Sequence, residues 1–580
     1  MSDITDLVAN NLDIWTSATQ RKSGAGRGGG KRISLYGIER LRALILDLAV
    51  RGKLVPQDAG DEQAGELLKR IAKARRLKMD AGLARKLKSI DPLPKELEAL
   101  PTGWEWTQLG IIAEISPGNS ADDDLNVAFV PMTLVSTSFS GEHELQSRKW
   151  GDVKKGFTHF AEGDIGLAKI TPCFENGKAA IFQNLPNGIG AGTTELHVAR
   201  PWSDELNRRY LLLTMKTGSY LANGEKRMTG TAGQKRVTRS YFKATPLSLP
   251  PLAEQRRIVA KVDELMTLCD ALERESADTL AAHQALVEEL LATLVNSADA
   301  FDLATNWARM ESHFDSLFTT EASIHALKQT ILDLAVLGKL VEQDVRDAPA
   351  SELVDSWRKA KRKALQSAGD RRIKPSADAN VPPFPLPSHW AFQSFENVFL
   401  FIDYRGNTPP KTAEGVPLIT AKNVRMGHID REPREFVTQA TYEKWMTRGF
   451  PNIGDLFFTT EAPLGNICQN DIDEPFAIAQ RVICFQPYGA ANTRFLMLAI
   501  MSRSMQRVLD DHATGMTAKG IKAAKLKPLP LPIPPLAEQH RIVAKVDSLV
   551  ALCDTLKARL AEVTQTQCHL ADVITEKAIA

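Results

Sequence analysis

The chain has 580 residues, of which 43% are hydrophobic and 24% are charged. This composition is typical of globular proteins and excludes a largely disordered or fibrous chain. The length predicts roughly three or four domains. Lys and Arg number 72 and Asp and Glu number 70, so the net charge is only +2. A polybasic coat is therefore excluded, and any nucleic-acid surface must be a local patch.

The cellular compartment can be predicted from the cysteines and the N-terminus. The six cysteines form no CxxC pair and are too sparse for a disulfide framework, so they indicate reduced thiols. No apolar run approaches the ~18 residues of a membrane span. The N-terminal MSDITDLVANNLD carries acidic residues, unlike a signal peptide. We expect a cytoplasmic protein without a membrane segment.

An internal repeat organises the chain. ILDLAVRGKLVPQD (Ile45–Asp58) returns at Ile331–Asp344 with 12 of 14 positions identical and an offset of 286. PPLAEQRRIVAKVDELMTLCDAL (Pro250–Leu272) returns at Pro534–Leu556 with 18 of 23 identical and an offset of 284. The agreement of the offsets indicates a tandem duplication with pseudo-two-fold symmetry. The segments between these anchors share only scattered positions, either because they present two different recognition surfaces or because they have merely drifted.

The repeated frame is predicted to be helical. The ILDLAV segments indicate short amphipathic helices that end near the glycine of GKL. After each PPLAEQ motif, apolar residues recur with alternating spacings of four and three, as between Ile258, Val262 and Leu265. This seam predicts two helices of about 40 residues that pair as an antiparallel coiled coil. In the first copy the register drifts after Leu272.

The segments between the frames are predicted to be globules of mixed α and β structure. They contain short β-rich runs broken by Gly, Pro and Asn turns, such as NVAFVPMTLVS, AAIFQ, GDLFFTT and RVICFQP. The fold class is therefore α+β, with two such domains separated by the two long helices. The predicted organisation is a flexible N-terminal extension (1–35), a helical conserved region (36–99), recognition domain 1 (100–249), long helix 1 (250–299), a helical region with a Pro-rich linker (300–385), recognition domain 2 (386–533) and long helix 2 (534–580).

Positive charge is concentrated at equivalent places in the two divergent segments. Residues 207–243 contain nine basic residues and one acid, a local charge of +8, and residues 494–527 carry +5. The surrounding Thr, Gly, Ser and Gln residues suit contacts with phosphates and base edges. One such run is normally a solvated face. Its recurrence in both copies favours contact with DNA, because a duplex offers two related docking sites.

Motifs for catalysis are missing. The nearest strings to an adenine methyltransferase motif, NVPPF and NTPPK, do not fit, and SGAGRGGGKR is not a complete P-loop. HELQS lacks the second His of a zinc protease, and Asp152-Val-Lys154, which resembles part of a nuclease site, has no counterpart in the second repeat. Two alternatives remain open, a self-contained DNA enzyme and a structural coiled-coil adaptor without DNA specificity.

The paired PPLAEQxRIVxKVD and ILDLAVxGKLVxQD motifs resemble the specificity (S) subunit of Type I restriction–modification enzymes. The strings KITPCFENGK (Lys169–Lys178) and YRGNTPPKT (Tyr404–Thr412) are also similar to target recognition domains of that family. The resemblance implies two such domains, each reading one half of a bipartite DNA site, with the long helices as a ruler. It implies a non-catalytic subunit that assembles on double-stranded DNA with two modification subunits and with restriction subunits. S-adenosylmethionine, ATP and Mg²⁺ would belong to those partners, and this chain would bind no cofactor and no metal.

The candidate DNA-binding residues follow from the basic segments and from these strings. Arg and Lys suit guanine and phosphate, whereas Asn suits adenine. The candidates in the basic segments are Lys226, Arg227, Lys235, Arg236, Arg239, Lys519, Lys522 and Lys525. The candidates for base readout are Asn176, Lys178, Arg405, Asn423 and Arg425.

Overall fold

The computed structural model describes residues 4–22, 32–82, 89–231, 233–367, 382–404, 408–515 and 519–579. The chain divides into two compact units. Unit 1 comprises Met1–Thr279 and Val563–Ala580, and unit 2 comprises Leu280–Glu562. The division therefore falls within two long helices and not between two consecutive halves of the chain.

Unit 1 begins with two short helices and contains most of the first repeat. Its helices are α1 (Ile4–Asn10), α2 (Leu12–Ser17), α3 (Tyr36–Val50), α4 (Ala64–Asp80), α5 (Leu109–Ile112), α6 (Trp150–Val153), α7 (Arg208–Met215), α8 (Gly218–Glu225), α9 (Arg239–Ala244) and the first part of α10 (Leu252–Val295). Its strands are β1 (Gln20–Lys22), β2 (Arg32–Ser34), β3 (Glu105–Gln108), β4 (Ala113–Ile115), β5 (Asn126–Val130), β6 (Gln146–Lys149), β7 (Thr158–Ala161), β8 (Ile165–Ala168), β9 (Ala179–Ile181), β10 (Ile189–Gly192), β11 (Leu196–Pro201) and β12 (Pro246–Leu249).

Unit 2 repeats this order of elements. Its helices are α11 (Ala300–Glu311), α12 (Phe314–Leu317), α13 (Glu321–Val336), α14 (Ala350–Ser367), α15 (Phe395–Val398), α16 (Gln439–Trp445), α17 (Thr493–Met501), α18 (Arg503–Asp511), α19 (Ala523–Leu526) and the first part of α20 (Leu536–Ile579). Its strands are β13 (Ala391–Ser394), β14 (Phe399–Asp403), β15 (Val416–Ile419), β16 (Phe436–Val437), β17 (Leu456–Thr459), β18 (Ile467–Gln469), β19 (Ala477–Ile478), β20 (Val482–Pro487) and β21 (Pro530–Ile533).

The recognition domains of the two units share a sheet topology although their sequences diverge. One four-stranded sheet has the order β4-β11-β8-β9 in unit 1 and β14-β20-β17-β18 in unit 2. The second sheet is β6-β5-β10-β7 in unit 1 and β16-β15-β19 in unit 2. A two-stranded ribbon, β12-β3 or β13-β21, joins each domain to the residues before its long helix. The α+β class and the duplication are thus confirmed.

The buried end of each long helix packs with the short helix of the ILDLAV motif. In unit 1, Ile258 and Val262 of α10 share one apolar core with Leu41 of α3 and Ala571 of α20. Arg42 of α3 also pairs with acidic side chains of α10. In unit 2 the equivalent core joins α13 to the start of α20 and the end of α10. The predicted seam is therefore shared with a third helix and is not a two-helix interface alone.

The chain passes from unit 1 into unit 2 within α10 and returns within α20. Each long helix has 44 residues, which corresponds to about 66 Å at 1.5 Å per residue. The two helices traverse the units in opposite order, as the predicted antiparallel arrangement requires. Among the described residues, no helix has the length and apolarity needed to cross a lipid bilayer.

The ends of α3 and α13 are set by a glycine in each unit. Gly52 and Gly338 have φ angles of +67° and +68°, a left-handed conformation that favours glycine at a helix C-terminus. A Cβ at Gly52 would lie 2.6 Å from Pro101 Cγ, and one at Gly338 would lie 2.4 Å from Pro387 Cγ. The predicted ends of these helices are confirmed, and the glycines also permit close packing on the following segment.

The PPLAEQ motif forms a joint between each long helix and its recognition domain. Trp104 Nε1 donates to Glu254 Oε2 of α10 at 2.9 Å. The side chain of Gln255 accepts from the Asn207 backbone N–H at the start of α7 and donates to the Pro250 carbonyl. Glu254 and Gln255 are almost completely buried. These contacts fix the first turn of α10 on the domain.

The same joint recurs in unit 2. Trp390 Nε1 donates to Glu538 Oε2 at 2.9 Å. Gln539 of α20 accepts from the Asn492 backbone N–H at 3.0 Å and donates to the Pro534 carbonyl at 3.0 Å. The identical AEQ letters in the two copies therefore make the same three hydrogen bonds, and Glu538 also accepts from Gln343 Nε2 at 2.6 Å.

The structure corrects the interpretation of residues 1–35 as a flexible extension. Ile4–Asn10 and Leu12–Ser17 are helices, and the Trp15 side chain is completely buried. The segment folds because Ile4, Val8 and Trp15 contribute to the apolar core of unit 1. The Gly-rich residues 23–31 and residues 374–381 of the predicted Pro-rich linker lie outside the described residues.

Replacing Trp104 by Phe tests the joint. Trp104→Phe removes the hydrogen bond to the buried Glu254 carboxylate, whose other oxygen has no partner among the described residues. We expect the free energy of unfolding of unit 1 to fall by about 2–3 kcal/mol, the effect of leaving a buried charged acceptor without its donor. Urea unfolding followed by circular dichroism measures this change.

Trp202→Phe is the matched control, because Trp202 is also buried in unit 1 but its Nε1 has no partner among the described residues. Equal losses of stability in the two variants would show that ring packing, and not the hydrogen bond, holds the joint.

Candidate nucleic-acid interface

In unit 1 the basic segment folds back beside the loop that joins β8 to β9. Thr229 and Arg236 pair as a short antiparallel bridge. The Thr171 backbone N–H donates to the Lys235 carbonyl at 3.0 Å, and the Val237 N–H donates to the Lys169 carbonyl at 2.8 Å. We name residues 226–243 basic loop 1 and residues 169–178 proline loop 1, after Pro172. Backbone hydrogen bonds therefore hold the two loops together.

Unit 2 contains the same pair of loops. Thr514 and Gly520 form the antiparallel bridge, and Gly520 also bridges to Glu461. The Ile521 N–H donates to the Thr460 carbonyl at 2.9 Å. We name residues 514–527 basic loop 2 and residues 460–466 proline loop 2. Because proline loop 2 joins β17 to β18, the counterparts of β8 and β9, the two sites are structurally equivalent.

An ion pair lies beside the loops in each unit, with the charges exchanged. In unit 1, Glu195 directly precedes β11 and accepts from the Arg236 guanidinium at 2.8 and 2.9 Å. In unit 2, Arg481 directly precedes β20 and pairs with Glu461 at 2.7 Å. The same structural position therefore carries an acid in one unit and a base in the other. The Arg236 guanidinium also lowers the pKa of Glu195 and keeps it ionised.

Lys169 adds a further cation to the unit 1 site. Burial is the main cause that lowers its pKa, and the nearby Arg236 and Arg239 guanidinium groups lower it further, while Glu195 opposes this shift. Lys169 thus lies within the electrostatic reach of basic loop 1. It was not among the predicted contacts, although the string KITPCFENGK begins with it.

His197 supports basic loop 1 and carries no charge near neutral pH. Its Nε2 lies 3.0 Å from the Val237 carbonyl, and its ring stacks on Phe242 with centroids 5.1 Å apart. Burial lowers its pKa to about 4. The imidazole therefore helps to anchor the end of the loop as a neutral donor.

The predicted contacts in basic loop 1 have different surroundings. Lys226, Lys235 and Arg239 are exposed to solvent. Arg227 is also exposed, and its guanidinium lies 5.8 Å from the centre of the Tyr241 ring. Arg236 is partly buried by its pair with the Glu195 carboxylate. Basic loop 1 thus carries four exposed ammonium or guanidinium groups and one guanidinium, that of Arg236, which an ion pair holds in place.

Proline loop 1 contains two residues predicted to read bases. Asn176 is exposed. Lys178 Nζ instead donates to the Met132 carbonyl at 2.9 Å. The structure thus gives Lys178 a role in holding the loop through one of the three N–H donors of its ammonium group, and its contact with a base stays a prediction.

In unit 2 the predicted lysines are exposed. Lys519 pairs with Asp510 at 3.1 Å. Lys522 directly precedes α19, and Lys525 lies in the last turn of that helix. Arg405, a predicted reader of bases, lies outside the described residues.

Asn423 and Arg425 belong to a turn next to proline loop 2, because Asn466 Nδ2 donates to the Val424 carbonyl at 2.9 Å. Asn423 is only 3% exposed, and its amide bonds to Thr420 and to the carbonyls of Asp430 and Pro433. The interpretation of Asn423 as a base reader is corrected, since an amide with these partners shapes the turn. Arg425 is partly exposed and pairs with Asp430 at 3.2 Å.

One cation of the basic segment is buried and structural. Lys216 is 7% exposed, and its Nζ donates to the carbonyls of Gly177 at 2.7 Å and Thr137 at 3.2 Å. It therefore ties proline loop 1 to the segment preceding β6. Burial lowers its pKa to about 7. At the same distance after the helix cap, unit 2 has Met501, which packs against its apolar core.

The motifs considered for catalysis are also used structurally. Lys154 pairs with Asp123 at 2.6 Å, and His143 Nε2 accepts from the Gln183 N–H at 3.1 Å. Within the described ranges, no group of three or more His, Cys, Asp or Glu side chains is arranged to hold a metal ion.

Lys216→Met tests the buried cation through pH. The native pKa of about 7 lies below the value of about 10.4 for an unfolded lysine, so the native state binds fewer protons between these values. We expect the free energy of unfolding of the unsubstituted protein to rise from pH 7 to pH 9 relative to the variant, by up to about 1.4 kcal/mol per pH unit. Urea unfolding at pH 7, 8 and 9 measures the difference, and parallel profiles would contradict the burial of a titrating ammonium group.

Comparison with known proteins places the chain in a family. The family described as "Type I restriction modification DNA specificity domain" matches residues 101–282 and 406–565. The chain is 44% identical over 595 aligned residues to the Type I restriction enzyme EcoAI specificity subunit of Escherichia coli, with 99% of this chain and all of that protein covered. It is 43% identical to the EcoEI specificity subunit of the same species, with the same coverage.

Among solved structures, the HsdS subunit of Thermoanaerobacter tengcongensis matches with a TM-score of 0.39 and 19% identity, covering 83% of this chain and 98% of that one. The two matched regions cover most of each recognition domain, and the full-length relatives exceed 40% identity. The chain therefore belongs to the DNA specificity subunits of Type I restriction–modification systems.

Proposed function

We propose that the chain reads a bipartite sequence in double-stranded DNA, one half-site per unit, and directs partner subunits to that site. The partners are two modification subunits that methylate adenine, and restriction subunits that translocate and cleave unmodified DNA. The chain itself contributes recognition and no catalysis. S-adenosylmethionine, ATP and Mg²⁺ bind to the partners.

One observation carries this proposal, the repetition of a basic loop beside a proline loop in both units. The backbone hydrogen bonds that join the loops are equivalent, whereas the side chains that they present differ. A common backbone with different side chains is the arrangement expected for two readers of different base sequences. A structural adaptor has no need of cations at the same place in two divergent domains.

The exposed cations of the basic loops contact phosphates. Lysines on loops suit phosphate oxygens, which fix the position of the protein on the duplex without specifying sequence. In unit 1 these residues are Lys226, Arg227, Lys235 and Arg239, and in unit 2 they are Lys519, Lys522 and Lys525.

The ion pairs beside the loops read bases. A carboxylate accepts from the cytosine amino group, and an arginine donates to guanine, so Glu195 and Arg481 suit different bases at equivalent positions. Asn176, Arg405 and Arg425 are further candidates for base contacts. Since the target adenine must leave the stack for methylation, the domains also hold an opened duplex.

Exchanging one recognition domain tests the proposal. Residues 100–249 are replaced by the corresponding domain of another family member, with the AEQ joint retained, and methylated adenines are sequenced in cells that carry the chain with its partners. We expect one half of the methylated sequence to change and the other half to persist, because each domain reads its half-site independently. A change in both halves, or in neither, would contradict the assignment of one half-site to each unit.

Glu195→Gln and Arg481→Gln form a reciprocal pair of tests. Glu195→Gln should relax base preference only in the half-site of unit 1, and Arg481→Gln only in that of unit 2. The loss of discrimination at one base should be about 5- to 150-fold, which corresponds to about 1–3 kcal/mol per base contact. The frequencies of methylated sequences measure it. If either variant altered both half-sites equally, a general loss of stability would explain the effect.

A further inference from the structure

Two helices outside the recognition loops carry an unusual density of positive charge. Residues 67–79 of α4 contain six basic residues and no acid, and residues 356–366 of α14 contain five basic residues and no acid. The two helices occupy equivalent places in the repeats, between the ILDLAV helix and the recognition domain. The basic residues are Lys69, Arg70, Lys73, Arg75, Arg76 and Lys78 in α4, and Arg358, Lys359, Lys361, Arg362 and Lys363 in α14.

Each helix is anchored by an apolar side that turns the cations outward. Leu67 and Ile71 of α4 are each 1% exposed and belong to the core of unit 1. In α14, Val354 and Trp357 are buried, and Trp357 Nε1 donates to the Ala490 carbonyl at 2.9 Å. The buried residues thus fix each helix to its unit, and the charged face of the helix is held in a defined position.

Some cations near the start of the helices are paired with acids, whereas five others in the two helices form no ion pair with a described acid. Lys69 pairs with Glu66 at 2.7 Å, and Arg358 pairs with Asp355 at 3.1 Å. Lys73, Arg76 and Lys78 are exposed, and none of them forms an ion pair with a described acid. Lys359 and Arg362 of α14 are also exposed, without an ion pair to the described residues.

This arrangement lowers the stability of the helices themselves. Like charges three or four positions apart, such as Lys73 and Arg76 or Lys359 and Arg362, each destabilise a helix by about 0.2–0.5 kcal/mol. The helix dipole favours cations only within the last turn, so it does not account for charges distributed over the whole helix. A bound polyanion removes the repulsion.

The charged helices adjoin the basic loops. In unit 1, the segment that follows α4 is tied to the end of basic loop 1, because Lys243 Nζ donates to the Ser89 carbonyl at 2.8 Å and Ser240 donates to Asp91 at 3.1 Å. In unit 2, Lys361 Nζ donates to Asn397 Oδ1 at 2.9 Å. Burial lowers the Lys361 pKa, Glu396 opposes this shift, and the Lys527 ammonium of basic loop 2 lowers the pKa further.

We infer that α4 and α14 form a second DNA-binding surface in each unit, one that binds phosphates of the duplex beside the half-site. The inference rests on the proposed function and extends it to DNA that no base-reading loop touches. The contact is independent of sequence, because ammonium and guanidinium groups on a helix face meet phosphates and not base edges.

The composition of the faces favours DNA over an acidic protein partner. Protein interfaces are depleted in lysine and enriched in aromatic residues at their centres. Among the described residues of α4, Leu77 is the one large apolar side chain classed as exposed, and α14 has none.

Neutralising the α4 cations tests the inference. The variant Lys73→Gln/Arg76→Gln/Lys78→Gln keeps good helix formers, and circular dichroism checks its fold. The probe is a pool of random 60-base-pair duplexes bound by the full chain at several salt concentrations. We expect roughly 10- to 50-fold weaker binding near 0.1 M salt, and a salt slope smaller by about 2–3, since each phosphate contact contributes about 0.9. Lys359→Gln/Arg362→Gln in α14 should reduce the slope by about 2.

The matched control is Lys545→Gln/Lys557→Gln/Arg559→Gln, which removes three exposed cations from α20. A salt slope for the α4 variant equal to that of this control would overturn the inference. Unchanged DNA binding with loss of co-purifying partner subunits would also overturn it and assign the face to a protein.

Sequencing the bound duplexes separates this inference from the proposed function. The unsubstituted chain should enrich a bipartite motif, and the α4 variant should enrich the same motif at lower salt. If the unsubstituted chain enriched no motif, the proposed function would fail. If it enriched the motif and the α4 variant kept the full salt slope, the second surface alone would fail.

Discussion

The structure depends on a small buried joint between each long helix and its recognition domain. A carboxylate in the first turn of the helix accepts from a tryptophan, and the neighbouring glutamine bonds the backbone at two points. Buried polar groups are costly to leave unpaired, so the joint admits few orientations of the domain on the helix. The position of each reading loop therefore follows from the helix that carries it.

Positive charge is distributed unevenly over the chain, because DNA recognition requires cations only at the recognition sites and solubility does not require them there. The net charge is +2, yet cations collect on the basic loops and on the helices beside them. Acids elsewhere balance these cations, so the long-range field stays small while the field at the two sites is strong. Inside the sites, Glu195 and Glu461 orient individual arginines. An oriented guanidinium loses less conformational freedom on meeting a base than a mobile one.

The periodic parts of the fold could be predicted from the sequence, and the side-chain partners within the site could not. Apolar spacing indicated the long helices, and the repeated glycine indicated where α3 and α13 end. Asn423 was misassigned because an amide that caps a turn and an amide that binds adenine have the same chemistry in a sequence. Lys216 was counted with the surface charge, since burial depends on chain segments distant in sequence. The ion pair of Glu195 with Arg236 joins residues 41 positions apart, so no pattern of neighbouring residues in the sequence predicts it.

The recurrence of one joint in both units has an evolutionary consequence. Trp, Glu, Gln and Asn form the same hydrogen bonds in both units. Each recognition domain is therefore attached to its long helix by the same set of contacts. Recombination within the regions that encode these matching stretches would transfer a complete recognition domain without changing its attachment to the helix. New target sequences would then arise by shuffling intact modules, faster than by stepwise change of individual contacts.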